Sequence, residues 1–269
     1  MHKLKMFSLC ISNRHLSKIK ELNYIPVGLG NDNFSKEWVR DNTNANISEK
    51  NKYYGEYTFH YWFWKNMIDK IEKDTWIGFC GYKYFWQNNL KIPKKNFKEN
   101  VLQGIPEEWE EYESIVTEPI ELINYKFSKI IKNGGWSFLI NPATYNKKKR
   151  DIRFNFDVFH GKGILDKAIE LLDDDNRDDF RAYTRNYQSF HKWNMFICRS
   201  HKTIKNYYES IFNWLFKCEN IFGFENLSGY GQTRIYGFLA ERFMPYWFKK
   251  NSKVATLPII FYDIKNDFN

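Results

Sequence analysis

Four cysteines, Cys10, Cys80, Cys198 and Cys218, are all that this chain of 269 residues contains. No two stand at C-x-x-C spacing and each lies in an apolar run. That excludes a disulfide framework and argues against a structural zinc site; the four read as small buried thiols in a reducing compartment. Long apolar runs are missing too. Nothing approaches the ~20 residues of a membrane span, and the apolar stretch near the N-terminus is only about six residues, short of a signal h-region. The expected location is cytoplasmic. The common nucleotide and nucleophile motifs are also absent. There is no G-x-x-x-x-G-K-[ST] loop, no H-E-x-x-H, no G-x-S-x-G, and Gly28 with Gly30 supplies only the first half of a dinucleotide fingerprint. With no RNA-binding signature either, nucleic acid is not expected as a partner.

What is present is charge and aromaticity. The formal net charge is +9 and aromatic residues make up 19 % of the chain. The length suits one large α/β domain or two small ones, with a core that needs no staples. A basic balance fits anionic substrates or an anionic membrane face, and a scattered excess also serves solubility alone. The run Lys147 to Arg150 reads as a solvated loop, with lipid headgroups as the alternative.

Periodicity and turn signals predict short strands alternating with helices. Leu4–Ile11 is a buried first strand, Leu16–Leu22 a helical turn, and Tyr24–Leu29 a second strand weakened at Pro26. Residues 31–51 form a polar loop rich in Asn and Asp. A loop of about twenty residues is more often functional than idle. Tyr53–Ile71 is helical, with Glu56, His60, Phe63 and Met67 on one face and Glu56 placed to pair with His60. Thr75–Cys80 is the next strand. Further strands are expected at Ser114–Thr117, Trp136–Ile140, Asn194–Cys198 and Pro258–Tyr262. Helices are expected at Ile120–Lys132, at Ile164–Leu172, after Cys198, and over Gln232–Phe248, where Pro245 should kink or shorten the last one. The class is α/β with a mainly parallel central sheet flanked by helices and a C-terminal helical region. No linker divides the chain.

Several ordered segments resemble one family. They are Asp41 to Asn51, then Tyr54, Glu56 and Tyr61 to Asn66; the strand and turn Trp76 to Phe85; Asn194 to Ile197; Trp214-Leu215-Phe216; Tyr230 and Arg234; and Gly237 to Arg242. Together they resemble the DUF4422 family over nearly the whole chain. The resemblance implies a GT-A-like glycosyltransferase of bacterial capsular, exo- or lipopolysaccharide synthesis. It would take a nucleotide-sugar donor, UDP-linked first of all, with galactose or galactofuranose as the sugar. The acceptor would be a glycan or lipid-linked glycan at the inner membrane surface, with the protein peripheral there. It also implies one domain over 1–269, with 1–140 holding the donor nucleotide and 141–269 the acceptor and catalytic part. A non-catalytic nucleotide-sugar or carbohydrate-binding protein on the same fold is the alternative. One departure stands out: the family pattern His-Tyr-Arg-Arg-Tyr-Phe is Gly81-Tyr82-Lys83-Tyr84-Phe85-Trp86 here. A lysine cannot clamp a phosphate through a planar fork.

Transfer from a sugar diphosphate needs compensation for charge on the leaving group. At the strand end stand Tyr82 and Lys83 rather than Asp-x-Asp, so the expectation is a cofactor-free site in which Lys83, Tyr82 and Arg234 replace a metal; Mn²⁺ or Mg²⁺ is the alternative. Asp173-Asp174-Asp175 follows a helix-like segment and reads as a solvated helix end. Asp41, Asn42 and Asn46 suit ribose and base edges. Lys50 and Lys65 suit phosphate, Glu56 lies on the helix between these pieces, Asn194 suits a donor hydroxyl, and Gln232 suits the acceptor or anomeric centre. For the catalytic base the candidates are Glu241, mid-helix beside Arg242, and His160.

Overall fold

The computed structural model describes residues 3–88 and 97–263. Strands β1 (Leu4–Cys10), β2 (Ile25–Gly28), β3 (Val39–Arg40), β4 (Trp76–Gly81) and β5 (Tyr84–Trp86) come first, followed by β6 (Ser114–Thr117) and β7 (Pro119–Glu121). The last four are β8 (Ser189–His191), β9 (Phe196–Cys198), β10 (Val254–Leu257) and β11 (Ile259–Phe261). The chain forms two compact units. Unit 1 is Met1–Glu118, Trp193–Glu209 and Phe248–Asn269; unit 2 is Pro119–Lys192 and Ser210–Trp247. Two of the four crossings between these units fall inside helices, His201–Phe222 and Ile235–Asn251, where no linker composition marks them.

Unit 1 holds a seven-stranded sheet in the order β10-β6-β9-β4-β1-β2-β3. Its pairs are parallel except where β9 meets β4 and β6, so the α/β class with a mainly parallel sheet is what forms. Pro26 fits inside β2 because β3 pairs only with Val27 and Gly28, so the missing amide hydrogen leaves no gap in that ladder. Against the sheet lies the Tyr57–Asn66 helix, whose Phe59 and Phe63 rings meet Phe7 at 5.7 and 5.2 Å. Phe79 from β4 closes the cluster, 5.6 Å from Phe7 and 5.2 Å from Phe63. Each such ring contributes roughly 1.5–3 kcal/mol by burial. β5 and β11 make a separate antiparallel ribbon.

Unit 2 is helical apart from the antiparallel pair β7–β8. Its centre gathers Phe180, Trp214, Phe243 and Tyr246, with Phe180 between 5.0 and 5.8 Å from the other three rings. Trp214 spends its indole N–H on the Ala168 carbonyl at 2.7 Å.

Several expectations need correction. The helix expected over Tyr53–Ile71 is broken at Gly55, which sits at φ 57° and stops the Asn51–Tyr54 turn before the Tyr57–Asn66 helix starts. The expected helix Ile120–Lys132 divides into β7 and a helix over Phe127–Gly134. Trp136–Ile140 is a 3-10 helix, not a strand. The last long helix runs through Pro245 to Asn251 rather than ending there. Pro258–Tyr262 supplies the ribbon strand β11, while the edge of the main sheet is the unexpected β10.

Candidate functional site

β1 has β2 on one side and β4 on the other, so the strand order reverses beside it. In open parallel sheets the crevice outside the carboxyl ends at such a point is where ligands bind. In this chain that edge collects Ser12 to His15 after β1, Gly30 to Asp32 after β2, Asp41 after β3 and Tyr82-Lys83 after β4. Tyr82 stacks on the buried His15 ring at 5.0 Å and 19°. Its hydroxyl is held above the usual phenol range, mainly by burial, with Lys83 opposing and Asp263 and Glu56 adding their negative charge. Lys83 Nζ lies 3.6 Å from the Asp263 carboxylate, and its carbonyl accepts the Tyr262 amide at 2.9 Å. The turn is therefore less cationic than its sequence suggests.

The neighbouring loops are tied to the same edge. Asp32 accepts the Asn13 amide at 2.7 Å, Trp38 donates to Asn13 at 2.8 Å, and Arg40 donates to the Gly30 carbonyl at 2.7 Å while lying over Phe34. Asp41 is 1 % exposed; burial raises its pKa, partly offset by a hydrogen bond with Thr58, and its Oδ2 has no hydrogen-bond partner. Asn51 donates to the Gly55 carbonyl and to Thr58, placing it beside Gly30. Glu56 stands at the N-cap position of the Tyr57–Asn66 helix, without a side-chain capping bond to it, and lies within electrostatic reach of Tyr82.

Other expected donor residues are placed differently. Asn42 is exposed in the loop. Asn46 spends its amide on that loop, donating to the Asn44 carbonyl at 2.8 Å and accepting from the Ser48 amide and hydroxyl. This is self-capping of the kind short Asn side chains favour. Lys50 ends the 3-10 turn Ser48–Lys50. Lys65 sits at the far end of its helix from Glu56, about 14 Å along the axis at 1.5 Å per residue. Its ammonium is 3.2 Å from the Trp64 ring centroid, with burial lowering its pKa. It does not converge with Lys83. His60 bonds Tyr208 through Nδ1 at 2.9 Å rather than pairing with Glu56. Asn194 precedes β9 instead of opening it.

Unit 2 gathers a second group. Arg242, 3 % exposed, pairs with Glu241 and donates towards Asn155 at 3.2 Å and His160 Nε2 at 3.3 Å, with its guanidinium 4.0 Å from the Phe190 ring centroid. The other nitrogen of His160 lies 3.2 Å from the Gly231 carbonyl. That assigns the proton to Nδ1 and gives the Nε2 lone pair to Arg242. Burial and the guanidinium both push the imidazole pKa well below its ordinary value. In this arrangement the Nε2 lone pair of His160 faces Arg242. The Glu241 carboxylate faces Arg242 and lies near Lys192, whose own pKa burial lowers. Lys192 in turn feels Lys129, which lies 5.1 Å from the Tyr125 ring centroid. Gln232 accepts from Ser228 in the turn before the Gly229–Thr233 helix, and Arg234 lies over Tyr230 at 5.6 Å. Asp173 caps the Asp174–Asn186 helix by accepting the Asn176 amide, so the acidic triplet is a helix start.

Among the described residues no three His, Cys, Asp or Glu side chains converge, and at the β4 turn the Asp263 carboxylate already faces an ammonium. A depression of about 720 Å³ in unit 1 is lined by charges of both signs, including Asp74, Glu113, Arg199 and Lys253. It lies at the amino ends of β4, β6 and β10, the edge opposite the switch point, and has no convergent chemistry. His15, Asp32, Arg40 and Asp263 were not anticipated. The polar run Ser12-Asn13-Arg14-His15 directly after the first strand was the signal available for His15.

A family model described as "Domain of unknown function (DUF4422)" matches residues 9–252. No curated protein matches. Among solved structures, the apo form of WbbM, a bifunctional glycosyltransferase, is similar over 97 % of this chain and 46 % of that one, with a TM-score of 0.61 and 17 % identity. This chain therefore spans about half the length of that protein, and the likeness is one of fold.

Proposed function

The chain belongs to the DUF4422 family, and from that premise we propose that it is a glycosyltransferase using a nucleotide-sugar donor. The observation that carries this reading is the grouping of Tyr82 with His15, Glu56 and Lys83 at the carboxyl end of the sheet beside β1, with Asp41 following β3 on the same edge. The fold shared with a bifunctional glycosyltransferase supports it. Asp41, Asn42 and Lys50 serve the nucleotide; Tyr82 on His15 offers a ring face and a hydroxyl; Lys83 serves the diphosphate. Asn194, Gln232 and Arg234 remain with the sugar and acceptor. In the reaction the bond from the anomeric carbon to the diphosphate oxygen breaks, and one to an acceptor oxygen forms. A base takes the acceptor proton, and Glu241 is the candidate, with Arg242 fixing its orientation.

The donor is UDP-galactose or UDP-galactofuranose in this reading. The acceptor is a lipid-linked capsular, exo- or lipopolysaccharide glycan at the inner membrane. Its test is a panel of nucleotide sugars read by melting shift and by nucleotide release. A ligand at a hundred times its Kd adds about 2.7 kcal/mol, which raises Tm by about 5–8 °C for a chain of this size. No shift with any donor sinks the proposal. Full activity in chelator supports the cationic turn, and strict Mn²⁺ dependence removes it.

The pairing of Lys83 with Asp263 favours one second reading, a protein that binds the nucleotide sugar without transferring it. A melting shift with no nucleotide release in the presence of acceptor selects it.

A further inference from the structure

Between Glu121 and Asp151 the chain has no acidic residue, yet it carries Lys126, Lys129, Lys132, Lys147, Lys148 and Lys149, all exposed. The seventh cation, Arg150, is buried and donates to the carbonyls of Ile123, Tyr125, Ala143 and Thr144 at 2.6–3.0 Å. It knots the ends of this stretch together and leaves the lysines outside. The same stretch shows four large apolar side chains to solvent: Trp136 (77 %), Ile140 (85 %), Tyr145 (63 %) and Phe127 (46 %). Phe127 and Tyr145 lie 5.8 Å apart. None of the four is needed by the core beneath, which is filled by Ile130, Phe138 and Ala143 against Phe154 and Val158. The helices are sorted, with one set of apolar residues inward and another outward among lysines.

We infer that this face of unit 2 docks on an anionic lipid bilayer, with Trp136, Ile140, Phe127 and Tyr145 entering the headgroup boundary and the lysines pairing with lipid phosphates. Interfacial aromatics, isolated aliphatics and lysines with no intervening carboxylate are what such a surface selects. A nucleic-acid face would use the lysines and rings but has no use for Ile140. The inference rests on the proposed lipid-linked acceptor for its purpose, but not for its evidence.

The test is flotation of the full chain with phosphatidylcholine vesicles, with and without phosphatidylglycerol. Binding should need the anionic lipid and fall with salt. Each lysine near the surface is worth about fivefold, so Lys147→Gln, Lys148→Gln and Lys149→Gln together should weaken partitioning on the order of 100-fold. Trp136→Ser with Ile140→Ser should also weaken it, while leaving the melting temperature within about 2 °C because both side chains are exposed. Removing three exposed lysines of unit 1, Lys70, Lys98 and Lys202, to Gln should change binding by less than about threefold. The inference is overturned if wild type stays unbound, if both lysine sets matter equally, if the apolar pair does not matter, or if the patch instead confers salt-sensitive binding to random DNA. Donor melting shifts measured without vesicles report on the proposed activity alone, so either result can fail without the other.

Discussion

Replacing His60 with Leu should make unit 1 less stable at neutral pH and relatively more stable in mild acid. His60 is fully buried against Phe79 at 4.5 Å and Phe196 at 5.6 Å, with Tyr208 bonded to Nδ1. Burial pushes its pKa from 6.5 down to about 3. In the unfolded chain the imidazole protonates as pH falls through 6.5, while in the folded protein it stays neutral. The unfolded state then binds the extra proton, so stability falls as the pH is lowered. At 1.36 kcal/mol per unit over about 1.5 units, His60 alone costs about 2 kcal/mol between pH 7 and pH 5. At pH 7 His60→Leu loses the bond to Tyr208 and leaves a buried hydroxyl, a loss of about 1–3 kcal/mol. At pH 5 that deficit should shrink by about 2 kcal/mol, since leucine has no proton to refuse. Urea unfolding followed by tryptophan fluorescence at the two pH values measures the difference. His160, with the same sign, and Asp41, Asp151 and Asp157, whose raised pKa values act oppositely, are common to both proteins and cancel. A stability gap independent of pH would mean that folded His60 accepts a proton, and the reasoning fails.

Four further outcomes follow from the geometry. Arg242→Ala should cost about 3–5 kcal/mol in urea unfolding, because Glu241, His160 and Asn155 lose a shared buried partner. For the same reason Glu241→Gln is a better test of the base than Glu241→Ala: nucleotide release should fall at least 100-fold while the donor melting shift persists. Asp263→Asn should tighten diphosphate binding by roughly fivefold by freeing Lys83, and Lys83→Ala should weaken it by at least as much; titration calorimetry with UDP reads both. Gly81→His should fold normally, within about 1 kcal/mol, because a Cβ there meets nothing within 4 Å and the backbone is not left-handed; thermal melting checks it.

The strands that build the candidate crevice were legible because they are apolar runs ended by turn residues: Leu4–Cys10 before Ser12, and Trp76–Gly81 before Tyr82. β10 was not. Val254 to Leu257 is an edge strand with one buried residue, so its composition lacks the contrast that reveals a central strand. β7 is defined by pairing with Ser189–His191, a partner no local window contains. Trp136–Ile140 misled in the opposite sense. The apolar run reads as a strand, but only Phe138 is buried, and Trp136 and Ile140 belong to the surface proposed to meet lipid.

The site shows the same division between local and distant information. Loop chemistry placed Asp41 and Tyr82 at the strand ends, but the charge a ligand meets at Lys83 is set far down the chain. β11 pairs antiparallel with β5, opposing Phe261 to Tyr84 and Ile259 to Trp86. That register puts Tyr262 against the Lys83 carbonyl and brings Asp263 to its ammonium. Lys83 is therefore partly neutralised before any ligand arrives. A diphosphate bound here draws less on fixed charge and more on the Tyr82 hydroxyl and the neighbouring backbone. Donor affinity in this chain should accordingly depend only weakly on salt, changing by less than about threefold between 0.05 and 0.2 M, where a site built on several exposed cations would lose far more. A steep salt dependence of UDP binding, unaltered by Asp263→Asn, would show that the ion pair opens when ligand arrives and that the turn is as cationic as its sequence reads.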